Sequence, residues 1–498
     1  MIDSLLSTIT DVLISSSDQV LAAADAAATT APAASAPVSP GKPEVGAFRL
    51  ISAIVIGITA LLVLIIRFKM HPFITLLVVS MGVGIGSGLA PLETLKSVET
   101  GMGKALGFIA IVVGLGAMFG RMLEVSGGAE RLARSIVRAF GEKNTQWAMT
   151  LTGFLISIPI FLDVGLVILI PIIYSLCKKA GKPLLYYGIP LLAGLAVSHS
   201  FIPPTPGPMT ATVMLQADLG WVILFGVIAG IPAAIIAGPL FGSYIADKVT
   251  CNIVFPVEGT EADDKDLPGF GMVLFLILLP LLMILIGTLI AIPAIGNYFT
   301  AVMFDRASIG DIIRFICHPF SALIIVSLVA FRLLGKFKGY TRDEVQEIAT
   351  KSLEPVGIII LVTGAGGVFK SILSDTGIGT MIGDMMKTSA MSPLIAAFLI
   401  ASFIRVAQGS ATVAMVTTCG LMFPINEALG VGGRTLDLMV IAIAAGATVL
   451  SHVNDSGFWL VNRFFGMSVK DTLKSWTVSL TLVGLVGFAM VLLMSLFV

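Results

Sequence analysis

The sequence predicts an all-α polytopic membrane protein made of two inverted repeats, each with a re-entrant helical hairpin and a broken helix. Three observations carry this prediction: an apolar composition, long stretches without charge, and an internal repeat whose copies face opposite ways. Of the 498 residues, 56% are hydrophobic and 12% charged, and mean hydropathy is +1.01. Soluble domains run near a quarter charged, so there is too little polar surface here to cover a water-soluble globule. Lipid is the main solvent, and there helices satisfy their own backbone where an open sheet does not. The 30 basic and 30 acidic residues cancel, which argues against a nucleic-acid partner. Cys177, Cys251, Cys317 and Cys419 lie far apart without CxxC spacing. They encode neither a disulfide framework nor a zinc site, and read as small apolar packing residues.

Residues 1–46 are rich in Ala, Ser and Pro, with Asp3, Asp11, Asp18 and Asp25 but no Lys or Arg before Lys42. This leader lacks the basic start of a signal peptide and is expected to be disordered or amphipathic on the non-cytoplasmic side. A spanning helix needs roughly 20 apolar residues. No charge occurs between Arg49 and Arg67, Asp218 and Asp247, Asp266 and Asp305, or after Lys474, and each run holds a span. Further spans are read at about 71–90, 105–123, 184–202, 319–334, 353–373 and 434–452. The first membrane repeat thus covers 47–246, a cytoplasmic connector 247–268, and the second membrane part 269–498.

Lys and Arg in short loops stay in the cytoplasm. Arg67 and Lys69, the run Arg131, Arg134, Arg138 and Lys143, the Lys178–Lys182 turn, the Arg332–Arg342 connector and the Arg463–Lys474 link are therefore inside. Both termini come out external. Basic flanks make 144–177 a hairpin that enters from and returns to the cytoplasm, and 388–425 a hairpin entered from outside. Each contains one charge, Asp163 in the first and Arg405 in the second.

Gly114, Gly116, Phe119, Leu123 and Gly127 match Gly364, Gly366, Phe369, Leu373 and Gly377 at an offset of 250. Phe154, Leu155, Ile156 and Gly165 match Phe398, Leu399, Ile400 and Gly409 at 244, and Ser198 and His199 match Ser451 and His452 at 253. By the charge pattern, 105–123 runs inward while its copy at 353–373 runs outward. Inverted repeats with discontinuous helices are a signature of secondary transporters, with the substrate site near the midplane where the copies meet.

An ionised Asp163 is costly in hydrocarbon, so it must face protein or a watery cavity. It reads either as a proton-coupling group or as an aspartate capping a half-helix. Arg405, in FIRVAQGSATVA, is a permanent cation that wants an anion. An organic carboxylate fits its guanidinium fork, with amide donors from a half-helix starting near Gly409–Thr412; a protein carboxylate is the competing partner. Gln408, Ser410 and Thr412 suit the hydroxyls of a polyol chain. His199 and His452 open the matched motifs SHSFIPPTPGP and SHVNDSGFW. Four prolines in the first, with Thr205 among them, forbid a continuous helix, a backbone tolerated only beside a cavity. In the second, Asn454, Asp455 and Ser456 form a polar cluster able to hold a proton, a sodium ion or a hydroxyl-rich substrate. Each histidine also reads as a hydrogen-bonded packing residue. GLGAMFG and GAGGVFKS carry no GKS or GKT, and close helix packing accounts for them. Without a Walker motif, ATP is not an expected partner.

The stretches FLDVGLVILIPI (161–172), SHSFIPPTPGP (198–208), GSATVA (409–414) and SHVNDSGFW (451–459) resemble the gluconate:proton symporter family of bacterial inner-membrane carriers, over essentially all of the chain from about residue 50. The resemblance implies proton-coupled uptake of D-gluconate or a related sugar acid without a cofactor. It also implies a homodimer of the ion-transporter superfamily fold, with a scaffold supporting a mobile transport domain that holds both hairpins. Members also carry fructuronate, idonate and D-serine, which leaves the particular acid open. In this reading Arg405, Gln408, Ser410, Thr412, Asn454, Ser456 and Thr205 bind the anion, and Asp163, His199, His452 and Asp455 handle the proton. An intramembrane enzyme finds no HExxH or GxSxG elbow in support.

Overall fold

The computed structural model describes residues 46–251, 264–304, 307–389 and 391–498. The expected leader, except Gly46, and most of the acidic connector lie outside them. In the first half, α1 (Ala47–Ile66), α2 (Pro72–Gly86), α3 (Pro91–Val125) and α4 (Gly128–Phe140) are followed by two interrupted pairs, α5 (Thr145–Ile156) with α6 (Leu162–Ala180), and α7 (Leu184–Phe201) with α8 (Pro206–Leu215). Helix α9 (Leu219–Ile235) continues through a π turn at Ile236–Leu240. The second half has α10 (Phe270–Ala291), α11 (Ile309–Cys317), α12 (Pro319–Lys338), α13 (Arg342–Lys351), α14 (Glu354–Thr376) and α15 (Ile378–Ser389). It then repeats the interruptions in α16 (Pro393–Gln408) with α17 (Ala411–Leu429), and α18 (Arg434–Gly446) with α19 (Ser456–Phe464), before α20 (Val478–Met494). Among the described residues nine helical stretches are long and apolar enough to cross a membrane.

One detail departs from an all-α chain. After α10, Val302–Phe304 pairs antiparallel with Ala307–Ser308 as a two-stranded ribbon. The rest of the described backbone is helix and short connections. Connections to helices are marked by local chemistry: His71 accepts from the Phe73 amide at 3.3 Å to start α2, and Thr341 and Glu344 form a capping box at the start of α13. The Thr341 amide and hydroxyl donate to Glu344, and these bonds hold its carboxyl below the usual range.

The repeated residues adopt repeated roles. Gly127 and Gly377 stop α3 and α14 in the same left-handed conformation, φ +78° and +76°. α3 and α14 also pack along each other, and they do so antiparallel. A methyl added at Gly101 would touch the Gly367 carbonyl, one at Gly364 would touch Met102, and one at Gly114 would reach Leu353. As one chain ascends, the other descends.

A second shared device is close approach at glycine. α7 is buried almost all round and lies along α5, where a methyl on Gly194 would stand 2.2 Å from the Thr150 carbonyl oxygen and one on Gly153 would stand 2.3 Å from that of Leu191. In the other copy α18 lies along α16, and a methyl on Gly446 would be 2.4 Å from the Phe398 carbonyl oxygen. Small residues let backbones come this near, and van der Waals contact then holds helices together in lipid. The two interrupted pairs differ in one respect: α16 packs against α17, whereas α5 and α6 pack on α7 rather than on each other.

Gly194→Ala is expected to destabilise the detergent-solubilised protein by about 1–3 kcal/mol through this overpacking. Gly107, with nothing within 4 Å of its added methyl, is the matched control. Thermal melting of the two alanine variants checks it, and a Gly194→Ala protein that melts with the parent contradicts the tight α5–α7 seam.

Candidate functional site

Four helix interruptions open four helix N-termini inside the bundle, and all four meet at one cavity of about 560 Å³. The first residues of α6, α8, α17 and α19, namely Leu162, Pro206, Ala411 and Ser456, all line it. The reason is local sequence. Ser157–Phe161 carries Pro159, the next break holds Pro203 and Pro204, Gly409 turns the third, and Asp455 starts the helix after the fourth. Unsatisfied amides at a helix start carry partial positive charge and suit an anion; α6, α17 and α19 offer them here, while α8, which begins Pro206-Gly207-Pro208, has only the Gly207 amide free in its first three positions.

Gly409 is required where it stands. Its φ is +87°, and a methyl there would lie 2.3 Å from the Asn454 carbonyl oxygen. The α16–α17 turn is therefore pressed directly against SHVNDSGFW. Asn454 Nδ2 donates to the Val406 carbonyl at 2.9 Å, and the His452 ring nitrogen Nε2 lies 3.0 Å from the same oxygen. Ser410 caps α17 by accepting from the Val413 amide at 3.4 Å, and Asp455 caps α19 by accepting from Gly457 at 3.0 Å.

Arg405 is buried, 4% exposed, and already has partners: it donates to the Gly409 carbonyl and to Asp455 Oδ2. The Ser451 hydroxyl donates to the same Asp455 oxygen, and Trp476 Nε1 donates to Ser451 at 3.0 Å. Thus the protein carboxylate, one of the two partners weighed for Arg405, is the one present. The guanidinium Nε remains buried with no hydrogen bond, as do both amide atoms of Gln408 and His199 Nδ1. Asp163 is exposed to the cavity at the second position of α6 and makes no capping bond. His199 faces the same space, its ring edge-on to Phe161 with centroids 6.2 Å apart.

The cavity therefore collects Asp163, His199, Arg405, Gln408, Ser410, Thr412, Asn454, Asp455 and Ser456. Two expected residues fall outside it. Thr205 gives its hydroxyl to the Ile202 carbonyl at 2.7 Å and lines a narrow neighbouring crevice, because its break turns that side chain back on its own helix end. His452 is held behind the site by its contact with Val406. Sequence reasoning missed Trp476, Thr448, Pro355 and Ile359, which complete the wall. Trp476 and Thr448 sit in apolar spans with no motif to single them out, and Pro355 and Ile359 arrive from α14, the helix that packs against the other copy.

Interrupted helices converging on a polar cavity inside an apolar many-helix bundle define a membrane transporter. The chain belongs to the GntP family permeases, whose family profile matches residues 49–497. It is 40% identical over 456 residues to a protein of Pseudomonas aeruginosa named gluconate permease, covering 90% of this chain and 98% of that one. It is 39% identical to the low-affinity gluconate transporter of Escherichia coli, over 86% of this chain and 95% of that one. The Gnt-II system L-idonate transporter of the same species is 35% identical, over 88% and 97%. Among solved structures the YdaH transporter of Alcanivorax borkumensis shares the fold, with a TM-score of 0.61 at 13% identity over 86% of this chain and 99% of that one. The protein is a multi-pass bacterial inner-membrane permease and not an enzyme.

Gly409→Ala is expected to destabilise the protein by about 2 kcal/mol or more, since strain at positive φ adds to a backbone clash. Gly432→Ala, with open space around it, should not. Comparing their melting curves with the parent's checks this; equal curves would mean that the α17 start and SHVNDSGFW are not pressed together.

Proposed function

We propose that the protein carries D-gluconate, or a closely related small hydroxylated carboxylate, into the cytoplasm together with a proton. The observation that carries this reading is the convergence of four helix N-termini on a polar cavity of about 560 Å³. Such a volume lies within the usual range for small-molecule sites. The names of the relatives, gluconate permeases and an L-idonate transporter, point to the same substrate class.

The carboxylate binds at the amides of the α17 and α19 starts, where partial positive charge is fixed in advance and needs no reorganisation. Gln408, with a buried amide that has no hydrogen-bond partner among the described residues, takes a hydroxyl from the sugar chain; Ser410, Thr412, Asn454 and Ser456 offer others. The substrate anion also competes with Asp455 for Arg405. When Asp455 loses its cation it is left as a poorly solvated carboxylate, and the low-energy response is to take up a proton. Anion and proton thus load together and the pair crosses without net charge. Asp163 and His199, which line the same cavity, exchange that proton with water. The antiparallel copies α3 and α14 support alternating access, because two similar halves of opposite direction have two arrangements of similar energy.

In proteoliposomes, Arg405→Ala should lower labelled gluconate uptake about thirtyfold, the equivalent of ~2 kcal/mol for a buried charge partner, with Arg405→Lys between it and the parent. Uptake should follow an inward proton gradient and vanish when that gradient is collapsed. Uptake by Arg405→Ala at the parent rate would defeat the anion site; uptake that ignores the proton gradient but needs sodium would replace the coupling ion. Asp455→Asn should keep gluconate exchange at equal pH on both sides and lose gradient-driven accumulation. Accumulation by that variant at the parent level would remove Asp455 from the coupling step.

A further inference from the structure

Two smaller cavities flank α3 and α14, and they are copies of each other. In one, of about 260 Å³, α3 presents Ala117, Gly120, Arg121 and Glu124. In the other, of about 480 Å³, α14 presents Gly367, Lys370, Ser371 and Ser374, the same four positions 250 residues later. The facing wall repeats the exchange. Lys351, Glu354 and Pro355, around the start of α14, line the smaller cavity, while their counterparts on α3, Gly101, Lys104 and Ala105, line the larger. A local two-fold axis between two antiparallel helices produces this reciprocity, in which each copy supplies to one cavity what its partner supplies to the other. The cavities consequently lie at opposite ends of the helix pair.

Their relation to the central cavity is not the same. Phe161 and Pro355 line both the smaller cavity and the central one, so these two spaces adjoin. The larger cavity shares no lining residue with the central one. By the positive-inside rule the smaller cavity faces the cytoplasm, since Arg131, Arg134 and Arg138 follow α3 and Arg332, Lys336 and Arg342 precede α14. The larger cavity then faces outward.

We propose that the outward cavity is a second binding station for the hydroxylated carboxylate, where Lys104 and Lys370 receive the anion before the central site opens to it. The station rests on the transport reading above. Lys370 Nζ donates to the Met214 carbonyl at 2.7 Å and stands 3.3 Å from the centre of the Phe423 ring, which fixes its ammonium at the cavity wall. Lys104 is exposed, and neither lysine forms an ion pair among the described residues. The Ser374 hydroxyl is buried without a partner, and Asp375 and Glu427 offer acceptors for sugar hydroxyls. The cytoplasmic cavity has cations too, but each is tied to a glutamate: Arg121 to Glu124 at 2.5 Å and Lys351 to Glu347 at 2.6 Å. Asp375 and Glu427 balance the outer cavity's lysines in number but pair with neither, so an arriving anion meets ammonium groups free of a close carboxylate outside and paired cations inside, an arrangement that favours capture on one face and release on the other.

The test measures gluconate entry from each face separately, in right-side-out and inside-out vesicles. Lys104 is exposed and makes no hydrogen bond among the described residues, so Lys104→Gln changes charge without disturbing the fold. Its KM for entry from outside should rise about fivefold at low salt with the maximal rate unchanged, and the difference should shrink at high salt. From the cytoplasmic face its KM should equal the parent's. Lys370→Met should show the same one-sided rise and Lys370→Arg should restore it. A parent that carries no gluconate defeats the transport reading itself. A transporting parent matched by Lys104→Gln on both faces, or a variant weakened equally on both, defeats the outer station alone.

Discussion

The structure turns on one constraint: a broken helix exposes backbone amides and carbonyls that hydrocarbon cannot satisfy, so each break inside the apolar bundle must face protein or water. Among the described residues four such breaks line the central cavity, at Ser157–Phe161, Ile202–Thr205, Gly409–Ser410 and Ala447–Asp455. Bringing all four together solves the problem once. The same arrangement brings four helix starts to a single space, and on the proposed reading it converts a requirement of backbone solvation into affinity for an anion. Fold and site are therefore not separable here. The glycine seams at Gly194 and Gly446 bring the first limb of each broken helix against the first limb of the neighbouring pair and so set where the breaks meet.

Much of this was legible in the sequence because lipid makes charge and proline conspicuous. The breaks could be placed from lone charges, from clustered prolines and from basic flanks, and nine of the singled-out side chains line one cavity. The repeat was legible as well, since Gly127 and Gly377 share a left-handed stop that only a few residues tolerate. The identity of the pair was not legible. A protein carboxylate was one of the two partners weighed for Arg405, but that it is Asp455 depends on Gly409 letting two distant segments touch, a contact across about fifty positions that no local pattern encodes. Thr205 was misplaced for a similar reason: composition marks its motif as a break but not the direction in which each hydroxyl turns. Trp476 had no signal at all, because an indole in an apolar span looks like packing.

The pairing of Arg405 with Asp455 changes how the site should be understood. A buried ion pair is poor evidence of stability, because the desolvation of both charges offsets much of their attraction. Its value in a carrier lies elsewhere. A free guanidinium would hold an anion tightly and release it slowly. On the proposed reading, a guanidinium shared with an internal carboxylate binds the substrate only by displacing that carboxylate, so affinity is tempered and the displaced group is made ready for a proton. The Ser451 hydroxyl, itself held by Trp476, donates to Asp455 and fixes the carboxylate that Arg405 meets.

The two copies are alike in register but unlike in contact, as the proposed alternation between two arrangements would require. At Gly120 of α3 an added methyl would stand 2.1 Å from the Pro159 carbonyl oxygen, so the tip between α5 and α6 is seated against this helix. The matched position on α14 carries Lys370, a side chain far too large for such an approach. One step away the relation reverses: an added methyl at Gly116 has 4.0 Å of room, whereas at its match, Gly366, it would lie 1.9 Å from Val416. Glycine stands where a hairpin backbone presses, and at Lys370 the hairpin limb α17 is met instead by a side chain lying over Phe423. If the outward-open arrangement were a simple mirror of this one, the second hairpin would have to seat on Lys370. The ammonium must then swing away from Met214 and Phe423, and a bound carboxylate in the outer cavity gives it somewhere to go. On the proposed reading, substrate at the outer station does more than wait for the central site: it lowers the energy of the arrangement that admits it.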